Sequence, residues 1–85
     1  MFRVFYHPRA YKFLKKLPEN QTRQITAKID KLEHNPFSKE ADIKKLATTK
    51  RSWRLRIGNI RVVYEVVSDK KIIYINDIDF RGNIY

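Results

Sequence analysis

The 85-residue chain has no cysteine, which excludes disulfides, thiol nucleophiles and the usual cysteine-based zinc sites. Only two glycines and three prolines occur, too few for linkers or low-complexity tracts. Negative charge is scarce: nine Asp and Glu stand against nineteen Lys and Arg, a formal net charge of +10. Such a balance favours nucleic acid, an anionic membrane surface or an acidic protein as partner. Apolar runs are only a few residues long, far short of a membrane span, so the membrane is the weakest of the three. The opening Met1-Phe2-Arg3-Val4-Phe5-Tyr6 lacks the apolar region and small-residue cleavage site of a signal peptide, so a cytosolic protein is expected. There is no internal repeat, and no HExxH, P-loop or GxGxxG motif.

What is present is enough for a compact core. Hydrophobic residues make up 42% of the chain, and five Phe, five Tyr and one Trp exclude a disordered chain. At this length one domain, residues 1–85, is expected.

Phe2 to Tyr6 alternates as a short first strand, broken at His7-Pro8. Pro8 suits a first helical position. Ala10, Phe13, Leu14 and Leu17 then recur at i, i+3, i+4 and i+7, with Lys12, Lys15 and Lys16 on the other side. Pro18 ends that helix. A second helix is expected from Glu19 to Glu33, with Ile25, Ile29 and Leu32 in one stripe, Thr22 and Ala27 as smaller neighbours, and Asn35-Pro36 as its stop. The short break between them predicts a helix hairpin packed on a sheet. Phe37 to Thr49 reads as irregular, with Ile43 and Leu46 dipping into the core and Lys39, Lys44, Lys45 and Lys50 wet. Three strands close the chain: Ser52 to Ile57, Ile60 to Ser68, and Lys71 to about Asp79. The order β-α-α-β-β-β predicts an α+β domain, an antiparallel-rich twisted sheet with the helix hairpin on one face.

Gly58-Asn59 separates two alternating runs, and glycine first in a two-residue loop suits a type II′ hairpin turn. That turn pairs Ile57 with Ile60, Arg56 with Arg61, Leu55 with Val62 and Arg54 with Val63. Trp53, Leu55, Ile57, Val62, Tyr64 and Val66 would then face the helices. Arg54, Arg56 and Arg61 would face away, toward a ligand or solvent. Like charges directly opposite each other on a sheet are destabilising by a few tenths to about 1 kcal/mol, a cost consistent with a bound polyanion. The alternative is a solvated arginine face that discourages edge aggregation. The turn near Ser68-Asp69-Lys70 can be two or three residues long. One residue of difference flips the last strand, so pairing alone leaves the face of Arg81 open.

His7 at a strand end and His34 in the last turn of a helix lack any partner pattern and read as structural or exposed. Asp77 and Asp79 are two carboxylates without a third ligand; they more readily balance nearby arginines than hold a metal. No metal and no cofactor is expected. Phe80-Arg81-Gly82-Asn83-Ile84-Tyr85 is either a frayed tail or part of a site. Arg54, Arg56, Arg61, Arg81 and Tyr85 together make a phosphate-handling set. Guanidinium groups bind phosphate bidentately and stay charged, and they can stabilise the extra charge of a phosphorane. They are poor bases, which leaves the Tyr85 phenol as the candidate for proton transfer, favoured as phenolate by neighbouring cations. RNA supplies its own nucleophile in the 2′-hydroxyl.

With its helix hairpin after a first strand, the run Trp53 to Val66 (WRLRIGNIRVVYEV) and the ending Phe80 to Tyr85 (FRGNIY), the chain resembles the RelE branch of the RelE/ParE toxin superfamily over essentially its whole length. The resemblance implies a ribosome-dependent endoribonuclease that cuts mRNA in the A site, and a RelB-like antitoxin that neutralises it, with a toxin–antitoxin heterotetramer as one possible assembly. It places Arg61 and Arg81 on the scissile phosphate and Tyr85 near the 2′-hydroxyl. Arg54 and Arg56 fall where well-studied bacterial members carry lysines, which keeps the charge but supplies a poorer proton donor. Lys12, Lys15, Lys16, Lys44 and Lys45 would grip ribosomal RNA phosphates. Two other functions fit the same scaffold: a ParE-like gyrase inhibitor without RNA cleavage, and a plain basic binding module.

Overall fold

The computed structural model describes residues 1–47 and 49–80. The elements run β1 (Arg3–Tyr6), α1 (Pro8–Lys16), α2 (Glu19–Asp30), a 3-10 turn (Lys31–Glu33), β2 (Ile43–Lys45), β3 (Ser52–Ile57), β4 (Ile60–Val67), a second 3-10 turn (Ser68–Lys70) and β5 (Ile72–Phe80). The strands form one mixed sheet in the order β1-β5-β4-β3-β2, parallel only between β1 and β5. This is the expected α+β arrangement with one added strand.

Local chemistry explains the helix boundaries. His7 caps α1: its Nδ1 accepts from the Arg9 N–H at 3.1 Å, and Pro8 follows as the first helical residue. Leu17 is driven to an extended conformation (φ −85°, ψ 155°) by the proline after it, so α1 stops. Thr22 Oγ1 donates to the Leu14 carbonyl at 2.8 Å, which also accepts the Leu17 N–H at 3.3 Å, so the end of α1 is tied to the first turn of α2. The second helix covers the expected span, but its last turn tightens to 3-10 form. Ile25, Ile29 and Leu32 are buried as the stripe requires, whereas Ala27 is exposed.

The inner sheet face meets the helices in one core. Leu55, Ile60, Val62, Tyr64, Val66, Ile73, Ile75 and Ile78 are buried with Ala10, Leu14, Ile25, Ile29 and Leu32. Trp53 and Ile57 pack against this core but stay partly exposed. Tyr64 donates its hydroxyl to the Pro36 carbonyl at 2.6 Å, tying the loop after α2 to the middle of the sheet.

The Gly58-Asn59 hairpin has the expected register, residue for residue. Gly58 has φ +59°, and Asn59 does not have positive φ, which is the type II′ signature. Two features differ from expectation. The segment read as irregular contains β2, whose Ile43, Lys44 and Lys45 pair with Leu55, Arg54 and Trp53. Three residues are too few for a visible alternation, and pairing to an existing edge supplies the order that local propensity does not. The last strand also carries a bulge. Val63 pairs with Asp77 but Tyr64 with Ile75, so Asn76 is the extra residue. The bulge changes the phase of β5: Ile73, Ile75 and Ile78 all point inward, while Tyr74, Asp77 and Asp79 point outward. The turn before it is four residues long rather than two or three: Val67 pairs with Ile72, leaving Ser68 to Lys71 between the strands, and Lys71 closes the 3-10 turn at φ +56°.

Candidate functional site

The hairpin brings Arg54, Arg56 and Arg61 onto the sheet face opposite the helices, as its alternation requires. Their environment is more structured than a solvated face. Asp42 just precedes β2, and its carbonyl accepts the Arg56 N–H at 2.9 Å, so it sits across from Arg56. On the other side, Asp79 pairs with Arg61 in the ladder. One row across four chain segments therefore reads Asp42, Arg56, Arg61, Asp79. The two central cations repel, but each has a carboxylate on its outer side. The cost of facing like charges is thus offset within the fold, and it does not by itself require a bound polyanion.

Asp42 bridges two arginines. Its Oδ1 lies 3.3 Å from Arg54 Nη2 and its Oδ2 lies 3.6 Å from Arg56 Nε. The Arg54 side chain is only 7% exposed, whereas that of Asp42 is 52% exposed. A buried guanidinium needs partners, and among the described residues this one has a single carboxylate, itself half in water. Arg54 Nη1 and Arg56 Nε are buried and donate no hydrogen bond among the described residues, the 3.6 Å approach of Asp42 to Arg56 Nε being too long for one. These donors are suited to oxygens of an anion. Arg61 is half-buried beside them. Among the described residues, no group of three or more His, Cys, Asp or Glu side chains could hold a metal ion.

The lysines expected to grip RNA do not converge. Lys44 is exposed next to Arg54 on the arginine face. Lys45 points to the other side, with its ammonium 5.9 Å from the centre of the Trp53 ring. Lys12, Lys15 and Lys16 are exposed on α1, in the helix layer. Arg81 and Tyr85 follow the end of β5 and lie outside the described residues. The two tyrosines with shifted acidity are elsewhere. Tyr6 is pushed up to about 12 by burial and by the carboxylates of Asp30 and Glu33. Burial also raises Tyr64. A cavity of about 400 Å³ lies beside Tyr6, Tyr11 and Leu14 in the helix layer, away from the arginines.

Sequence reasoning missed Asp42. The signal was available: Asp42-Ile43-Lys44 alternates opposite Arg56-Leu55-Arg54. It becomes visible only once β2 is recognised as a strand.

Residues 4–85 match the family described as the ParE toxin of type II toxin–antitoxin systems, parDE. A curated relative with the name "Putative toxin RelE1", from Methanocaldococcus jannaschii, is 40% identical over 85 residues, covering 99% of this chain and 94% of that protein. The crystal structure of the archaeal RelE–RelB complex from Pyrococcus horikoshii OT3 contains a chain that is 33% identical. It superposes with a TM-score of 0.84 over 96% of this chain and 97% of that one. The isolated E. coli RelE toxin shares the fold at 19% identity, with a TM-score of 0.79 over all of this chain and 92% of that one. No helix among the described residues is long and apolar enough to cross a membrane. The chain belongs to the ParE toxin family of type II toxin–antitoxin systems, within the RelE/ParE superfamily.

Proposed function

We propose that the protein is a RelE-type toxin that cleaves mRNA in the ribosomal A site, acting in the cytosol. The observation that carries this reading is the convergence of Arg54, Arg56 and Arg61 on one open face, where, among the described residues, Arg54 Nη1 donates no hydrogen bond and Arg56 Nε meets Asp42 only at 3.6 Å. Sequence similarity to a protein named as RelE1 and to the RelE chain of a RelE–RelB complex supports it.

In this reading Arg56 and Arg61 hold the non-bridging oxygens of the scissile phosphate. The 2′-hydroxyl of the preceding nucleotide loses its proton and attacks phosphorus. The bond to the 5′-oxygen breaks, and that oxygen takes up a proton. Arginines contribute by neutralising the charge that builds up on phosphorus, not by proton transfer. Arg81 adds a further phosphate contact and the Tyr85 phenol acts near the 2′-hydroxyl. Arg54, held beneath the surface by Asp42, raises the local positive potential and keeps Arg56 in place. Lys44 extends the cationic face; Lys12, Lys15, Lys16 and Lys45 meet ribosomal RNA from other sides. A RelB-like antitoxin neutralises the toxin, with a heterotetramer as one assembly open to the pair. Because an antitoxin binds only the folded toxin, saturating antitoxin raises the melting temperature; an unchanged melting temperature would count against that partner.

Primer-extension mapping of a defined mRNA in a translation extract tests the proposal. Cuts at A-site codons that need ribosomes and vanish in Arg61→Ala and Arg81→Ala support it. Absence of cuts by a wild-type protein that still stops cell growth moves the assignment to gyrase inhibition, the reading that the ParE description of the matched family favours.

A further inference from the structure

The open sheet face has a second half. Phe5 on β1 pairs with Tyr74 on β5, and their ring centroids are 5.9 Å apart at an interplanar angle of 31°. Their neighbours Val4 and Tyr6, and Ile73 and Ile75, pack into the core, so these two rings point away from the helices. Phe5 remains 40% exposed and Tyr74 42%. The other aromatic pairs differ. Phe13–Phe80 joins α1 to the sheet, and Phe37–Trp53 joins the loop after α2 to β3. Those rings fasten one layer or loop to another, whereas Phe5 and Tyr74 lie on neighbouring strands of one sheet and, among the described residues, stay open to solvent. The Arg3 guanidinium lies 5.3 Å from the centre of the Phe5 ring, adding a cation to the platform.

The rings are continuous with the arginine cluster. Tyr74 pairs with Glu65 on β4, and Glu65 is four residues along that strand from Arg61, on the same face. At a rise of about 3.3 Å per residue the two positions are roughly 13 Å apart along the strand. Glu65 is itself paired with Arg51 at 3.4 Å, so its charge is compensated. Cationic groups that track a phosphate backbone, beside exposed rings on which bases stack, form the usual surface for single-stranded nucleic acid. An apolar protein partner fits less well, because the patch is two rings wide and carries Arg3 on one side and the arginine cluster on the other.

We propose that the Phe5–Tyr74 pair is a stacking platform for a base of the single-stranded RNA whose phosphate the arginine cluster holds. This rests on the RNA reading of that cluster. The platform contributes affinity without contacting the reacting atoms, so it is tested by binding. The probes are a short 2′-O-methyl oligoribonucleotide, which cannot be cut, and an abasic strand of equal length and charge, followed by fluorescence anisotropy at low salt. The wild type should bind the base-containing strand more tightly than the abasic one. Loss of one stacked base corresponds to a factor of about 5–150. Tyr74→Val and Phe5→Val, which keep a strand-forming side chain, should remove that difference and leave abasic binding unchanged. Tyr74→Trp should retain it. Arg61→Ala should weaken both strands alike. Thermal melts of each variant separate lost binding from lost folding.

Equal affinity for the two strands, no binding of either, or Val variants that still prefer bases would overturn the platform. Variants that bind RNA normally but fail to bind an antitoxin would assign the rings to protein docking and overturn it as well. A protein that shows the base preference yet never cuts mRNA leaves the platform standing while the nuclease reading fails.

Discussion

Asp42 sets the behaviour of the arginine cluster through two contacts. Its carboxylate is the one described partner of the buried Arg54 side chain and also the neighbour of Arg56. Asp42→Ala should lower stability by about 1–2 kcal/mol in urea denaturation, less than the cost of breaking a fully buried pair because the carboxylate is half exposed. Adding Arg54→Met should restore much of that loss, since the stranded charge goes with it. Tyr64→Phe deletes the donor to the Pro36 carbonyl and should cost about 1–2 kcal/mol by the same measurement. Tyr6 gives a pH dependence. Its folded pKa is about 12, above the ordinary tyrosine value of 10.0, so the folded state holds the proton more tightly. Stability is therefore flat below pH 10 with respect to this group and falls as pH rises from 10 toward 12. Denaturation midpoints across that range should decline less steeply in Tyr6→Phe; an identical decline would assign the effect to other groups.

Among the elements, the β3–β4 hairpin was the most legible. Two alternating runs around Gly58-Asn59 specify both turn type and pairing, and local and long-range preferences agree there. Gly58→Ala should cost about 1–2 kcal/mol, entirely through backbone strain, because a Cβ at φ +59° meets no atom within 4 Å. The helices were legible for the same reason: apolar spacing and prolines mark their faces and ends. β2 was not, since three residues carry no period of their own. Nor was the bulge, because Asn76 differs from its neighbours only in pairing to nothing opposite. Of the candidate site, the hairpin arginines could be placed from sequence. Asp42 could not, since its place depends on β2, and Phe5–Tyr74 depends on the parallel pairing of β1 with β5, which local pattern does not encode.

At the scale of the molecule, positive charge is spread over several surfaces. The arginine face, the exposed lysines of α1 and the β2 edge point in different directions. That distribution suits a small protein enclosed by a large polyanion better than one laid on a single duplex, and it makes association sharply salt-dependent. Ribosome binding by Lys12→Ala/Lys15→Ala/Lys16→Ala should weaken while the salt slope becomes shallower; an unchanged slope would remove α1 from the contact surface. The central claim is that the arginine face performs the chemistry. Its most direct test is single-turnover cleavage of mRNA on purified ribosomes stalled with an empty A site, at saturating toxin, with wild type and Arg61→Ala. Expected is one cut in the A-site codon by the wild type, with the rate in Arg61→Ala reduced by about a hundredfold or more, as for loss of one charge-stabilising donor. A rate unchanged in Arg61→Ala, or intact mRNA with the wild type bound, would contradict the claim.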